Sequence, residues 1–267
     1  MPINAKQYVV PVISNVEIIR DHKVITFVAP ELAAVAQPGH FVNVLVSDGY
    51  DPFLRKPFSI YTVDRATGEV SVLYSIVGAT TRGMARKRSG DTLDLVGPLG
   101  GRIFAPDTRE GVTHIMVGGG YGVPPLVFLS RELREAGNDA NLVFIIGARH
   151  QNLLVCEAEL LEAGFDARVS TEDGSKGVQG RVTDVLEPIL NELGGSNCSV
   201  YCCGPTPMMH AVGDLSERYE APCQVSIEVA MPCGMGVCMA CVIDTRDERR
   251  VRSCTDGPVF DSREVGW

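Results

Sequence analysis

The sequence predicts a β + α/β protein. It reads as an N-terminal antiparallel β-barrel over residues 1–105, a parallel-sheet α/β domain over 106–221, and a small C-terminal subdomain over 222–267. Three features lead there. The first segment carries short β-branched runs separated by Gly, Pro, Asp and Asn. The second alternates apolar strands with helical patterns. The third crowds four cysteines into the 22 residues from Cys233 to Cys254.

In the first segment "YVVPVISNVEI", "KVITFVA", "HFVNVLV", "FSIYTVD", "EVSVLYSIV" and "DTLDLVGPLG" read as about six strands, a number suited to a barrel or sandwich. "RATGEV" reads as a hairpin turn whose glycine supplies φ > 0. The pattern changes near Pro106. "HIMVGGGYGVPPLVFLSRELREAG" is a strand, a glycine-rich turn and a helix, and "NLVFIIGARH" with "LLVCEAELLEAG" repeats the alternation. "ARVSTEDGS" with "VTDVLEPILNEL" and then "SVYCCGPTPMMHAVGDLSERY" complete a parallel sheet with helices on its faces. The last segment opens on the strand-like "QVSIEVA". It is too short to bury a core of its own, and a metal centre is the obvious support.

Composition limits the function classes. The chain is 45% hydrophobic and 21% charged, which is globular. A net charge of −9 leaves no basic face for nucleic acid or for an anionic membrane surface. No basic n-region with an apolar h-region opens the sequence, and no unbroken apolar run reaches membrane-spanning length, so a soluble cytoplasmic protein is expected. Nine cysteines without an export signal read poorly as a disulfide framework. Cys156, Cys198, Cys202, Cys203 and Cys223 are scattered and suit buried small apolar positions, whereas the other four need a reason of their own.

Cys233, Cys238, Cys241 and Cys254 are spaced C-x4-C-x2-C-x12-C. Structural zinc favours two separated knuckles; three ligands in one tight loop with a fourth returning later is the plant-type [2Fe–2S] arrangement. Gly234, Gly236 and Ala240 are small enough to let backbone N–H groups aim at cluster sulfurs. Zinc and incidental thiols remain as alternatives.

Three further motifs carry chemistry. Gly118, Gly119, Gly120 and Gly122 lie between a strand and a helix, where a pyrophosphate can approach the backbone; the pattern is GGG-x-G, and a tight packing turn explains it as well. "CCGPTPMM" puts Cys203, Gly204 and Pro205 at the carboxyl end of the last parallel strand, where ligands bind in such sheets, although a plain loop with a buried cysteine fits equally. "LRKPFSI" offers a cation, a ring and a hydroxyl to an anionic aromatic cofactor, or is an ordinary edge strand. Alternation puts Lys56 and Phe58 on one face, Arg55 and Ser59 on the other. The five histidines are dispersed, and His114 reads as structural.

Together, "KPFS", "GGGYGVPP" and "CGPTPM" resemble the ferredoxin–NADP reductase superfamily, which pairs a flavin-binding barrel with a nucleotide-binding α/β domain. "SIEVAMPCGMGVCMACV" followed by "SCTDGPVFDSREVGW" narrows this. The chain closely resembles the electron-transfer subunit of NAD-dependent, class 1B dihydroorotate dehydrogenase over essentially its whole length. The resemblance implies FAD, one [2Fe–2S] cluster and NAD as cofactors. It also implies an FMN-containing catalytic partner that oxidises dihydroorotate to orotate, in a hetero-oligomer expected to be a heterotetramer. Electrons then run from the partner's FMN through the cluster and FAD to NAD+, since only a flavin exchanges both single electrons and hydride.

By the same resemblance Lys56, Pro57, Phe58, Ser59, Leu73, Tyr74 and Ser75 contact FAD, and Gly78, Thr80 and Thr81 meet its phosphates. Cys203 is the candidate catalytic residue beside the reacting atoms, and the four clustered cysteines are the metal ligands. Lys56 stands where an arginine is usual, with Arg55 one position early, and Thr80 stands where many relatives have glycine. The small subunit of NADH-dependent ferredoxin–NADP reductases of the sulfide dehydrogenase type is similar too, but carries aspartate at the first cluster position. Hydrogenase-associated flavin subunits are a third resemblance. From a different class, a zinc-stabilised nucleotide-binding regulator without redox chemistry remains open. Arg149 bears on NAD against NADP without deciding it.

Overall fold

Seven antiparallel strands arise from the β-branched runs of the first segment: β1 (Lys6–Ile19), β2 (His22–Val28), β3 (Phe41–Leu45), β4 (Lys56–Ser59), β5 (Thr62–Asp64), β6 (Glu69–Ser75) and β7 (Thr92–Leu99). In this computed structural model, residues 5–46, 49, 51–137 and 141–267 are described. The ladder order is β4-β3-β7-β1-β2-β6-β5. The run "FSIYTVD" divides between β4 and β5, which is why seven strands stand where about six are expected. Period-two alternation supplies the core: Ile25 and Phe27, Val70 and Val72, and Leu93 and Leu95 are fully enclosed. A register shift between Val12 and Ser14 breaks the alternation within β1, so Val9, Ile13, Val16 and Ile18 face outward along the strand. Gly68 takes φ +75° in the hairpin turn, as "RATGEV" predicts.

Two helices were not anticipated. α1 (Pro30–Val35) begins on a proline whose missing N–H no helix needs at that position. α2 (Ala79–Arg86) is capped by Thr81 Oγ1, which accepts from Val77 N at 2.9 Å and Gly78 N at 3.0 Å.

The second sheet comprises β8 (Thr113–Gly119), β9 (Leu142–Ala148), β10 (Asp166–Thr171), β11 (Val178–Gln179), β12 (Cys198–Cys203), β13 (Cys223–Ser226) and β16 (Val259–Asp261), in the order β11-β10-β9-β8-β12-β13-β16. All neighbours are parallel except β16, which closes one edge antiparallel to β13. Helices α3 (Val123–Glu135), α4 (Glu157–Glu162), α5 (Val182–Leu193) and α6 (Thr206–Arg218) follow their strands as the alternation predicts. Between β13 and β16 lie a hairpin of β14 (Val242–Asp244) and β15 (Arg250–Arg252) and the short helix α7 (Ser253–Asp256).

Contacts divide the chain into two units. One holds Met1–Ile103, Val229–Val242 and Val251–Pro258; the other holds Phe104–Glu228, Ile243–Arg250 and Val259–Trp267. All four clustered cysteines therefore fall in the unit of the first sheet. Cys241 and Cys254 pack there with Phe41, Leu99 and Met231 in one buried cluster. Among the described residues no helix is long and apolar enough to cross a membrane.

Candidate functional site

The cysteine loop is shaped by backbone conformations that exclude side chains. Gly234 (φ +67°) and Gly236 (φ +75°) occupy the left-handed region, and a Cβ on Gly234 would lie 2.7 Å from both Asn43 Nδ2 and Leu99 Cδ1. Asn43, wholly buried on β3, donates from Nδ2 to Met231 O at 3.2 Å and so ties the loop's entry to the sheet. The turn aims N–H groups at sulfur: Gly236 N donates to Cys254 Sγ at 3.2 Å and Cys238 N to Cys233 Sγ at 3.5 Å. Cys241 Sγ and Cys254 Sγ stand 3.2 Å apart.

Those contacts act on acidity. Burial opposes ionisation of Cys233, but the N–H groups of Cys238, Met235 and Val237 and the Cys238 thiol outweigh it and bring its pKa down to about 7. Burial and the neighbouring Cys241 push Cys254 up to about 12. Arg252, paired with Asp256 at 3.3 Å, adds a positive charge felt by Cys241 and Cys254. Among the described residues no three Cys, His, Asp or Glu side chains converge on a single point. The structure brings three thiols into one loop and sets Cys254, on α7, against it, with Cys241 Sγ and Cys254 Sγ in contact. Two buried polar atoms beside this loop, Asn43 Oδ1 and Thr255 Oγ1, have no hydrogen-bond partner. Clustered thiols, sulfur-directed N–H groups and unsatisfied polar atoms fit a sulfur-ligated metal group.

The K-P-F-S motif forms β4, at the edge of the first sheet. Arg55 is committed elsewhere: Nη2 holds both oxygens of Asp94 at 2.9 Å, while Nη1 reaches the carbonyls of Asn43 and Asp94. It cannot replace the arginine missing at position 56. Lys56, exposed, is left as the cation of the motif. Phe58 meets Tyr74 edge-to-face with ring centroids 6.3 Å apart. Leu73, Tyr74 and Ser75 are buried on β6. The Tyr74 hydroxyl donates to Asn15 Oδ1 at 2.9 Å, and burial pushes its pKa up to about 12. The two threonines differ. Thr81 Oγ1 caps α2, whereas Thr80 Oγ1, buried in the first turn, has no partner.

In the second unit a cavity of about 440 Å³ opens at the carboxyl ends of the parallel strands. Gly119, Gly120, Arg149, Ser170, Glu172 and Pro205 are among its walls. The glycines divide their labour. Gly120 takes φ +55° with open space around it. Gly118 and Gly122 face away from the cavity's lining, and a Cβ on Gly122 would lie 2.0 Å from Cys203 O, so that glycine lets α3 and the β12 loop interlock. Pro124 and Pro125 remove two of the first helical N–H donors, and Val123 N already donates to Gly120 O, so α3 itself offers few free donors at this turn. Ser170, 1% exposed, has an unpartnered Oγ at this cavity.

Cys203 ends β12 with its thiol donating to Ser226 O at 3.5 Å. Burial, with Glu228 nearby, holds its pKa well above the usual range, so it is a neutral thiol. Gly204 (φ +153°) and Pro205 turn the chain into α6. Sequence reasoning missed Glu228, which follows β13: it keeps an accessible edge but is crowded by protein, and burial raises its carboxyl pKa. It also missed Asn43, Ser170 and Thr255. Only the polar residue in the apolar run "HFVNVLV" signalled the first of these. His114 is structural as expected, its Nδ1 3.2 Å from the Tyr201 hydroxyl.

Residues 228–266 match the family described as "Iron-sulfur cluster binding domain of dihydroorotate dehydrogenase B", and residues 116–214 the "Oxidoreductase NAD-binding domain". The electron transfer subunit of dihydroorotate dehydrogenase B (NAD(+)) from Bacillus caldolyticus is 38% identical, with 86% of each chain covered. Its counterpart from Bacillus velezensis is 40% identical, covering 86% of this chain and 88% of that one. Among solved structures, one of an NADH-dependent reduced ferredoxin–NADP oxidoreductase superposes with a TM-score of 0.81 at 29% identity, covering 97% of this chain and 90% of that one. The ferredoxin NADP+ reductase of Neisseria gonorrhoeae shares the fold, with a TM-score of 0.67 at 15% identity. At 38–40% identity over 86% of its length, the chain belongs to the family of electron transfer subunits of NAD+-dependent dihydroorotate dehydrogenase B.

Proposed function

We propose that this chain accepts electrons from an FMN-containing catalytic subunit that oxidises dihydroorotate and delivers them to NAD+, in pyrimidine biosynthesis in the cytoplasm, within a heterotetramer. One observation carries the reading: the four-cysteine loop and the K-P-F-S strand belong to the same unit, sharing a core through Phe41, Leu99, Cys241 and Cys254. When bound, [2Fe–2S] supplies one-electron exchange and FAD supplies conversion between single electrons and hydride.

The chain's own residues do the holding. Cys233, Cys238, Cys241 and Cys254 are the cluster ligands. Lys56 would meet the flavin phosphates as a point charge and Thr80 Oγ1 would donate to them. Pro57, Phe58, Ser59, Leu73, Tyr74, Ser75, Gly78 and Thr81 form the flavin's walls. Gly119, Gly120 and Pro205 receive the nucleotide with Ser170 Oγ as a donor, while Gly118, Gly122 and Gly204 shape that site from behind. The neutral Cys203 thiol, fully buried and donating to Ser226 O, would support the loop beside the reacting atoms without becoming a nucleophile. The functional division is FAD over 1–105, NAD over 106–221 and the cluster over 222–267.

The purified chain is expected to reduce an artificial acceptor with NADH but to leave dihydroorotate untouched until the catalytic subunit is added. Dihydroorotate oxidation by the chain alone would sink the proposal. The 29% identity to the ferredoxin–NADP oxidoreductase structure keeps a second assembly in view, and the subunit that co-purifies separates the two. A large flavin subunit with two [4Fe–4S] clusters in place of a dihydroorotate oxidase would overturn the first reading.

A further inference from the structure

Four buried side-chain polar atoms are unpartnered among the described residues, and they fall at the candidate sites: Ser170 Oγ at the nucleotide cavity, Thr80 Oγ1 at the start of α2, and Asn43 Oδ1 and Thr255 Oγ1 at the cysteine loop. A buried polar atom without a partner is destabilising, so each points to something the protein part alone does not supply. Thr255 is the most informative. It directly follows Cys254 and is pressed against the loop that carries the first three cysteines: a Cβ on Gly236 would lie 2.9 Å from Thr255 Cγ2 and 3.2 Å from Thr255 Oγ1.

The neighbouring carboxylate, Asp256, is engaged by Arg252. The Asp256 carboxylate receives Arg252 N at 2.8 Å, Arg252 Nε at 3.3 Å and Arg252 Nη2 at 3.4 Å. Thr255 Oγ1 makes no hydrogen bond to it or to any other described residue. Cys254 Sγ already receives Gly236 N and faces Cys241 Sγ. What the setting lacks is an acceptor against the loop, and the sulfur atoms of a bound iron–sulfur group are acceptors of that kind.

We propose that Thr255 is a tuning residue for the cluster, its buried hydroxyl donating to a cluster sulfur and so raising the reduction potential. Reduction adds negative charge to the group, and a donor aimed at sulfur stabilises that charge more than it does the oxidised state. Thr255 acts through hydrogen bonding alone and is not a ligand. The inference rests on the reading of the four cysteines as cluster ligands.

The test is a redox titration of the full chain followed by electron paramagnetic resonance, with iron content measured on the same samples. Thr255→Val keeps the shape and removes the donor. It is expected to retain full iron content and to show a midpoint potential shifted downward, while Thr255→Ser restores the wild-type value. A pulsed spectrum in deuterated buffer should show an exchangeable deuteron coupled to the reduced wild-type cluster and missing from Thr255→Val. If Thr255→Val sheds iron, Thr255→Ala takes its place in the titration. A full-iron apolar variant with an unmoved potential and an unchanged deuteron signal overturns the proposal and leaves the cluster reading standing. A wild-type chain that binds no iron overturns both.

Discussion

Replacing Gly122 with alanine tests whether the glycine turn and the Cys203 loop form one interlocked site. The new Cβ would lie 2.0 Å from Cys203 O, 2.1 Å from Cys203 C and 2.4 Å from Gly204 N. Ordinary contact needs about 3.4 Å or more, and all three obstacles are backbone, so no rotamer change relieves the overlap. The start of α3 and the end of β12 must separate by roughly 1 Å. Overpacking of this kind costs about 1–3 kcal/mol, which lowers the melting temperature by about 2–12 °C in a chain this long. A displacement of about 1 Å in a positioned site can cost about 100-fold, so the KM for NADH should rise roughly 10- to 100-fold, or about 1.4–2.8 kcal/mol. NADH-dependent reduction of an artificial acceptor measures this, with a thermal melt on the same sample and iron content as the unaffected quantity. Gly164→Ala separates backbone strain from overlap: at φ +78°, with no atom within 4 Å of a new Cβ and outside the cavity, it should lower the melting temperature but leave the KM for NADH unchanged. A Gly122→Ala protein with wild-type KM and melting temperature would refute the interlock.

Cys233→Ser is expected to impair transfer from the catalytic subunit while hydride exchange between NADH and the flavin continues; equal loss of both, read by stopped-flow, contradicts the relay order. Gly234→Ala combines a left-handed φ with 2.7 Å overlaps on Asn43 and Leu99, so iron per chain should fall by at least half; full iron content speaks against the tight wrap. Ser170→Ala removes an orphan hydroxyl, so the ligand-free protein should melt within about 2 °C of wild type while NADH affinity drops about 5- to 10-fold by titration; unchanged affinity detaches Ser170 from the nucleotide. His40 is held neutral because burial lowers its pKa from 6.5 to about 4, and its Nδ1 accepts from Gln37 N at 3.0 Å. The unfolded chain binds this proton more readily. The His40 contribution is therefore whole above about pH 6.5 and is lost as pH falls towards 4, by about 2–3 kcal/mol. His40→Gln should flatten denaturant stability across that window, and an unaltered pH profile counts against it.

Much of the fold was legible because its signals are local. The cysteine spacing, the strand–glycine–helix succession at Gly118 to Gly122, and the turn at Gly68 each announce themselves within about two dozen residues. What stayed hidden depends on partners distant in sequence. Arg55 reads as a spare cation beside Lys56 until Asp94 is seen to occupy it. Thr80 and Thr81 are alike in the sequence, yet one caps a helix and the other is left unpaired. Gly122 reads as a phosphate-loop glycine, and only the approach of Cys203, encoded some 80 positions later, assigns it to packing. "QVSIEVA" reads as the opening of a separate segment, but pairing with β12 makes Cys223–Ser226 a strand of the second sheet.

The sharing of Cys241 and Cys254 with Phe41 and Leu99 has a consequence for how the protein is made. A ribosome releases residues 1–103 first, yet their unit is complete only when residue 258 has emerged. At ordinary synthesis rates the wait is roughly 8–30 s. Through that interval the first sheet exposes the surface that Met231, Cys241 and Cys254 later cover. Maturation is thus ordered backwards relative to the gene: the nucleotide unit's strands β8 to β13 are available before the first unit is whole. A cell short of iron should accumulate nascent or newly released chains whose first unit is the part that proteases reach first.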